Sequence, residues 1–287
     1  MKNQKLAYVY ALSAIFLWST VATAIKITLR YFDPYQMLFI ATAVSLLAVT
    51  AILAFQGKLG EIIKPQGTFY WYSAGLGFLN PFLYYVVLLK AYDLLQAQIA
   101  QPLNYTWPVM LVLLSVPLLG QKLNLKSMVA ILISFSGVFF ISAEGDLLHF
   151  EPSDPLGIIL AVGSSVIWAL FWIYNVRDKR QEAVKLFYNF LFGLIFITIT
   201  IPFVSDFQLF NIKGLIAATY LGLFEMGITF FLWLKGMQLT VTNDKISNLV
   251  YLSPFVSLIF IHFILGETIY YTTLLGLVLI VSGILIQ

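Results

Sequence analysis

The sequence predicts an all-α integral membrane protein with ten transmembrane helices, arranged as two inverted five-helix repeats. Three observations support this prediction: the length of the apolar runs, the division of basic residues between alternate loops, and the recurrence of residues at a fixed spacing. Of the 287 residues, 61% are hydrophobic and 10% are charged, whereas about 25% of the residues in a soluble domain are charged. Lipid is therefore the expected solvent of this chain.

The apolar runs have the length of membrane-spanning helices. Each covers roughly 18 to 22 residues, enough to cross a hydrocarbon core of about 30 Å at about 1.5 Å per residue. Strands of a membrane barrel would alternate over roughly 10 residues, whereas the run 274–286 is apolar at nearly every position. Charged residues, proline, glycine and asparagine divide the chain into ten predicted spans: 6–27, 36–55, 69–90, 96–118, 126–143, 156–174, 184–203, 214–235, 245–265 and 270–286.

Basic residues divide unequally between the two sides of the membrane that these spans define. Because cytoplasmic loops are enriched in lysine and arginine, the richer side is predicted to be cytoplasmic and to hold both termini. We expect a bacterial inner (plasma) membrane location and no nucleic-acid partner, since orientation in the membrane explains the pI of 8.9. Twelve basic residues lie on one side and four on the other: Lys2, Lys5, Lys58, Lys64, Lys122, Lys126, Arg177, Lys179, Arg180, Lys185, Lys235 and Lys245 against Lys26, Arg30, Lys90 and Lys213.

Residues also recur at a fixed spacing between the two halves. Pro108, Gly120 and Gly137 are followed 146 residues later by a proline and two glycines, Pro254, Gly266 and Gly283. Gly77 and Lys90 recur 145 residues later as Gly222 and Lys235, and Trp18 recurs 150 residues later as Trp168. The predicted repeats are 1–145 and 146–287. Since five is an odd number of spans, the second repeat must be inverted, an arrangement typical of secondary transporters.

The composition also limits the chemistry of the chain. Without cysteine it has no thiol catalysis, thiolate metal site or disulfide. His262 has no acidic or histidine partner at metal-ligand spacing, and we predict neither a metal nor a cofactor. The basic and apolar start resembles a signal peptide, but about 20 apolar residues exceed the usual signal core of 7 to 15.

Glu225 is the one acidic residue predicted to lie well inside a span, about ten residues and so about 15 Å from Lys235. An ionised carboxylate at this depth is costly and usually faces a cavity. Two functional interpretations follow, a proton-coupling acid or an anchor for a cationic substrate group. The structural alternative is a protonated acid that hydrogen-bonds a neighbouring helix.

Other polar and aromatic side chains are predicted to line the same cavity. Asn80 occupies the position equivalent to Glu225 and precedes Pro81, which leaves a carbonyl of the third span unpaired. Spans 4 and 9 carry polar faces beside prolines, and spans 1 and 6 carry tryptophans among small residues. These polar faces and tryptophans could line a cavity or could equally well pack against neighbouring helices. The candidate substrate-binding residues are Glu225, Asn80, Trp18, Tyr84, Gln101, Asn104, Tyr105, Trp168, Trp172, Asn248 and Tyr251.

The chain resembles the EamA-type branch of the drug/metabolite transporter superfamily. The resemblance rests on ten spans in two halves, on Leu17-Trp18-Ser19-Thr20 in the first span and on Leu265-Gly266-Glu267 after the ninth. The segments 104–108 and 251–254 are similar to those of aromatic amino acid exporters. The resemblance implies a basket of spans 1, 3, 4, 6, 8 and 9 around a central cavity. Glu225 departs from the small or apolar residue expected there.

Three functional classes remain open from the sequence. A secondary transporter, most simply an exporter, would carry a small metabolite such as an amino acid or amine, with protons as a candidate coupling ion. A membrane receptor or scaffold would have a core without a cavity. An intramembrane enzyme would need a nucleophile and base, a carboxylate pair or a metal cluster within the spans, and we find none in the sequence. A monomer would suffice, since the two repeats provide an internal pathway.

Overall fold

The computed structural model describes residues 2–64, 67–149, 152–206, 211–241, 246 and 248–286, with the backbone alone at Leu234. Lys245, one of the basic residues counted above, lies outside the described residues, as does the start of the predicted ninth span. Every element of regular secondary structure in the described residues is a helix. Its long helices are α1 Gln4–Leu29, α2 Pro34–Phe55, α3 Phe69–Leu94, α4 Ala97–Leu119, α5 Leu125–Ser142, α6 Pro155–Asn175, α7 Glu182–Val204, α8 Ile212–Leu239, α9 Asn248–Leu265 and α10 Tyr271–Ile286.

Each predicted span coincides with one of these helices to within a few residues. Within the described ranges, nine helices, α1 to α9, are long and apolar enough to cross a membrane. α10 is apolar but has 16 residues, about 24 Å at 1.5 Å per residue. Many large apolar side chains point outward, including Leu47 and Leu132, each 69% exposed. Such a surface is the one expected of a multi-pass membrane protein.

Local sequence determines where several helices begin and end. Asp33 caps α2 through its carboxylate, which accepts hydrogen bonds from the Tyr35 and Gln36 backbone N–H groups. α6 begins at an Asp-Pro pair, where the Asp154 carboxylate accepts from Gly157 N–H at 2.8 Å. α4 and α9 both end at a glycine of positive φ, Gly120 at 67° and Gly266 at 76°. These signals confine the polar helix ends to the loops.

The helices pack in a pattern that leaves α5 and α10 as a separate pair. α10 packs along α5, while α1 contacts α8 and α9, α6 contacts α3 and α4, and α2 contacts α7 and α8. The contact between α5 and α10 is reciprocal: Gly137 approaches Gly276, and Gly283 approaches Ala130. Small residues of this kind let helix backbones approach closely in a membrane.

We expect Gly276→Val to destabilise the protein by roughly 1–3 kcal/mol, the usual cost of overpacking. A Cβ at this position would lie 2.5 Å from the Gly137 carbonyl oxygen and 2.6 Å from Ile141 Cγ1, so the two backbones must separate. The thermal midpoint in detergent measures the effect. Gly163→Val is the matched control, because a Cβ at Gly163 has no atom within 4 Å. Equal midpoints for the two variants would contradict close packing of α5 on α10.

Candidate functional site

The helices that bear most of the candidate residues are interrupted. α1 breaks at Thr20, α4 breaks at Tyr105 and Thr106, and α9 starts as a 3₁₀ segment, Asn248–Leu252. α3 and α8 contain the π-helical segments Phe78–Leu83 and Gly222–Gly227. These last two segments carry Asn80 and Glu225, which are 145 residues apart in the sequence. π-Helical segments are rare and occur frequently at functional sites.

Side chains satisfy the backbone carbonyls of the interrupted segment of α8. The Gly222 carbonyl accepts a hydrogen bond from Ser45 Oγ of α2 at 2.9 Å. The Glu225 carbonyl accepts from the Trp18 indole of α1 at 3.2 Å. Thr229 Oγ1 donates to the Phe224 carbonyl. An unpaired carbonyl in lipid would cost several kcal/mol, so these bonds hold the backbone of Glu225 in place.

The Glu225 carboxylate lies between α8, α1, α2 and α3. Its Oε1 accepts a hydrogen bond from the Tyr85 hydroxyl at 2.9 Å. Throughout the described part of the chain, no basic side chain forms an ion pair with it. Beside it is a cavity of about 10 Å³, room for about one water. The other lining residues are mostly apolar: Ile25, Met37, Leu38, Ala41, Tyr85, Leu89, Leu221 and Met226.

A second group of predicted residues meets between α3, α4 and α6. Tyr84 donates to Asn104 Oδ1 at 3.2 Å, and Asn104 Nδ2 donates to Ser164 Oγ at 2.8 Å. The Tyr84 ring lies 4.6 Å from the Trp168 ring, which is 6.0 Å from the Trp172 ring. The Tyr84 and Tyr85 rings are 4.7 Å apart. Two adjacent tyrosines thus join this aromatic group to Glu225.

Tyr105 faces a different neighbour from Asn104. Its hydroxyl lies close to the Ser253 side chain of α9, and Ser19 Oγ of α1 donates to Ser253 Oγ at 3.3 Å. α4 is interrupted at Tyr105, and the consecutive residues Asn104 and Tyr105 face α6 and α9. Polar side chains of α1, α4 and α9 therefore lie close together at Ser253.

Three candidate side chains have buried polar atoms without a hydrogen-bond partner within the described structure: Asn80 Oδ1, Gln101 Oε1 and Trp172 Nε1. Buried polar atoms are almost always paired with protein or ordered water. Two acceptors and one donor are therefore available to a water or a polar ligand.

Two predicted site residues lie away from these contacts. Asn248 is exposed at the start of α9, and Tyr251 is partly buried against the hydrophobic core. Tyr85 and Ser253 were missed by the sequence analysis. The sequence around each residue does not reveal its role, because its hydrogen-bond partner lies 140 or more residues away along the chain. No group of three acidic or histidine residues within the described ranges could hold a metal ion.

Charged side chains join the helices at one end of the molecule. Lys26 of α1 donates to the carbonyls of Tyr92 and Leu95, at 2.8 and 2.9 Å, where α3 ends. The Glu267 carboxylate accepts from the Ala97 and Gln98 backbone N–H groups, at 2.9 and 3.1 Å, where α4 begins. We call these four contacts the end latch. Each pairs a charge with the helix terminus whose dipole it complements.

Comparisons with known proteins identify relatives over the whole chain. Residues 5–143 and 155–287 match the EamA-like transporter family. An uncharacterized transporter of Archaeoglobus fulgidus is 25% identical, over 98% of this chain and 96% of its own. The aromatic amino acid exporter YddG of Ancylobacter novellus is 26% identical, over 79% of this chain and 77% of its own. A protein crystal structure aligns with 99% of this chain and 96% of its own at a TM-score of 0.69 and 21% identity.

Proposed function

The chain belongs to the EamA-like transporter family, and on that basis we propose that it exports a small metabolite with an amino group, an amino acid or amine. The observation that carries this proposal is Glu225, a carboxylate within a membrane-spanning helix that has a tyrosine partner and no basic partner in the described structure. An amine of the substrate would supply the missing positive charge. The name of the YddG relative, an aromatic amino acid exporter, supports the same substrate class.

The candidate residues match the parts of such a substrate. The ammonium would bind the Glu225 carboxylate beside Tyr85, where cation–π attraction to the tyrosine ring would add about 0.5 to 2 kcal/mol. Asn80 Oδ1 and Gln101 Oε1, both unpaired, would accept further donors. An aromatic substrate side chain would stack on Tyr84 and Trp168. Stacking would add about 0.5 to 1.5 kcal/mol to the binding free energy, beyond the contribution of apolar burial.

We propose that ten spans form the two inverted repeats 1–145 and 146–287, with α10 as the tenth span. The family matches the chain in two separate stretches, 5–143 and 155–287. With an offset of 146, Ala130 and Gly137 of α5 correspond to Gly276 and Gly283 of α10. Their contacts, Gly137 with Gly276 and Ala130 with Gly283, are the exchanged pairs of a two-fold arrangement. The π segments of α3 and α8 also occupy equivalent positions.

Transport would proceed by alternating access, in which the two repeats rock around a central site. The protein would lie in the bacterial inner membrane. The side with more basic residues would be cytoplasmic and would hold both termini. The end latch then lies on the outer side. It joins α1 to α3 and the α9–α10 loop to α4, so release of substrate to the outside requires these contacts to open.

Binding of a panel of ligands tests the proposed substrate class. The thermal midpoint of the purified protein would be measured with amino acids, amines and nucleosides at pH 5.5 and 7.5. A ligand at about 100 times its dissociation constant adds about 2.7 kcal/mol to the free energy of unfolding. We expect amino acids or amines to raise the midpoint. A shift with nucleosides alone, or with no compound of the panel, would contradict the proposed substrate class.

We expect Glu267→Gln to favour the outward-open state. Hydrogen bonds to a charged group contribute about 1.5–3 kcal/mol each, and the neutral amide cannot accept both backbone N–H groups equally well. A loss of about 1.4 kcal/mol changes the open population tenfold. The chain has no native cysteine, and Thr23 of α1 is buried, 3% exposed, so the rate at which Thr23→Cys reacts with an impermeant thiol reagent measures the opening.

Gln121 lies 146 residues before Glu267 and provides a matched position at the other side of the membrane. Gln121→Glu should leave the labelling rate of Thr23→Cys unchanged or lower it. An unchanged labelling rate at Thr23→Cys in the Glu267→Gln protein would show that Glu267 does not hold the outer side closed.

A further inference from the structure

A second cavity, of about 310 Å³, opens to the surface beside the end latch. It lies where α1, α3 and α9 end. Its size falls at the lower end of the range for small-molecule sites, about 300–1,000 Å³. We call it the outer pocket, and its lining residues are Lys26, Leu29, Arg30, Asp93, Leu265 and Glu267.

The walls of the outer pocket carry two positive and two negative side chains. Lys26 and Arg30 supply the positive charges, and Asp93 and Glu267 the negative ones. Lys26 interacts electrostatically with the other three groups, so the four charges are close together. The pocket is therefore formally neutral yet strongly polar, which fits a ligand that carries both signs of charge.

Two of these charges are fixed in position and still have unused hydrogen-bonding capacity. The Lys26 ammonium has three donors and uses two of them on backbone carbonyls. The Glu267 carboxylate has about four acceptor sites and uses two of them on backbone N–H groups. A ligand can thus bind each group without breaking the end latch.

The other two charges are available at little cost. Arg30 is exposed and forms no ion pair in the described structure. Asp93 pairs with Lys90 at 2.6 Å, but both side chains are exposed, 40% and 48% respectively. Exposed pairs of this kind contribute about 0–1 kcal/mol, so a ligand ammonium can replace the Lys90 contact.

We propose that the outer pocket binds the zwitterionic head group of a free α-amino acid. The carboxylate would contact Arg30, whose planar guanidinium can pair with it bidentately, and Lys26. The ammonium would contact Asp93 and Glu267. An apolar side chain would lie on Leu29 and Leu265. A simple anion or cation would leave two wall charges of its own sign unopposed.

This inference rests on the proposed function and refines it, since the pocket is the place where an exported amino acid would pause before leaving. It narrows the substrate from any amine-bearing metabolite to an amino acid. It also separates two sites: Glu225 within the membrane selects for the amine, and the outer pocket selects for amine and carboxylate together.

Protection of an introduced cysteine tests the outer pocket. Leu29→Cys, in this cysteine-free chain, would be labelled in detergent with a charged thiol reagent. L-phenylalanine, at several times its dissociation constant, should slow labelling by about fivefold, since only the unoccupied fraction reacts. Phenylalaninamide and 3-phenylpropionate each lack one charge and should slow it less than about twofold. Leu148→Cys, at a position 90% exposed, should show no protection.

Three further variants show where the protection arises. Arg30→Gln and Asp93→Asn should each abolish it, whereas Glu225→Gln should leave it intact while transport is lost. Equal protection by phenylalaninamide or 3-phenylpropionate would overturn the zwitterion assignment. Loss of protection in Glu225→Gln would place the ligand at the central site instead of the outer pocket. If neither L-phenylalanine nor L-alanine protects Leu29→Cys, the outer pocket does not bind amino acids and the proposal is wrong. In that case, transport of an amine by the wild-type protein would still support the proposed function.

Discussion

Glu225→Gln is expected to weaken the binding of an amine-bearing substrate by about 10- to 150-fold. A hydrogen bond to a charged group contributes about 1.5–3 kcal/mol, and each 1.4 kcal/mol corresponds to a tenfold change in affinity. The amide keeps the shape of the acid and can still accept from Tyr85, so the substitution removes the charge alone. Ligand titration by thermal shift or calorimetry measures the loss.

Two companion variants separate charge from packing at this site. Tyr85→Phe removes one hydrogen bond to the Glu225 carboxylate and should cost about 1.5–3 kcal/mol of stability, with a smaller effect on affinity. Glu225→Asp keeps the charge and should retain part of the binding. If Glu225→Gln lowers the thermal midpoint but binds ligands as well as the wild type, the carboxyl group serves helix packing only.

A buried ion pair lies in the α6–α7 loop, on the side of the molecule that is richer in basic residues. Arg180 Nη2 lies 2.6 Å from Asp178 Oδ2, and the Asp178 side chain is fully buried while that of Arg180 is 10% exposed. Arg180 also donates to Ser73 Oγ of α3 at 2.5 Å. Its guanidinium lies over the Phe69 and Tyr188 rings. One ion pair thus joins the loop to α3 and α7.

We expect Asp178→Asn and Arg180→Gln each to lower the free energy of unfolding by about 3–5 kcal/mol, because each leaves one buried charge without its partner. The double variant should lose less than the sum of the two. Denaturation in mixed micelles measures these changes. Asp93→Asn removes an exposed pair and should cost less than about 1 kcal/mol. A cost as small for Asp178→Asn would show that the pair does not stabilise the fold.

The same pair predicts how stability depends on pH. Burial by itself raises the pKa of Asp178, but hydrogen bonds from the Arg180 side chain and backbone N–H, with its charge and that of Lys185, hold the pKa below its ordinary value. The stabilisation is therefore complete above the unfolded pKa of about 3.9 and is lost as pH falls through the lower folded pKa. Between pH 6 and 4.5, the difference in the free energy of unfolding between the wild type and Asp178→Asn should therefore stay constant.

The positions of the helices could be predicted from the sequence because lipid imposes a simple rule. A span needs about 20 apolar residues, and helix-capping residues such as Asp33, Asp154 and Gly266 mark its ends. The break at Asn80 follows from Pro81, which lacks a backbone N–H. The family resemblance drawn from Leu17-Trp18-Ser19-Thr20 and Leu265-Gly266-Glu267 is confirmed by the family match.

The interruption of α8 was not predictable in the same way. The segment Gly222–Gly227 contains no proline, and its carbonyls are satisfied by Ser45 and Trp18 from other helices. Such pairs depend on packing between distant parts of the chain, which hydropathy does not encode. For the same reason Glu225 could be identified from the sequence but its partner Tyr85 could not, and Asn248, which was predicted to bind substrate, is exposed.

Flux across proteoliposomes tests the central claim most directly. The wild-type protein, loaded with a labelled amino acid or amine that shifts its thermal midpoint, should release the compound in a saturable manner. With substrate below its dissociation constant, Glu225→Gln should slow the flux at least tenfold, while Lys213→Gln, at an exposed position in the first turn of α8, should not change it. Flux no faster than from protein-free liposomes, or flux unchanged in Glu225→Gln, would contradict transport through a site built on this carboxylate.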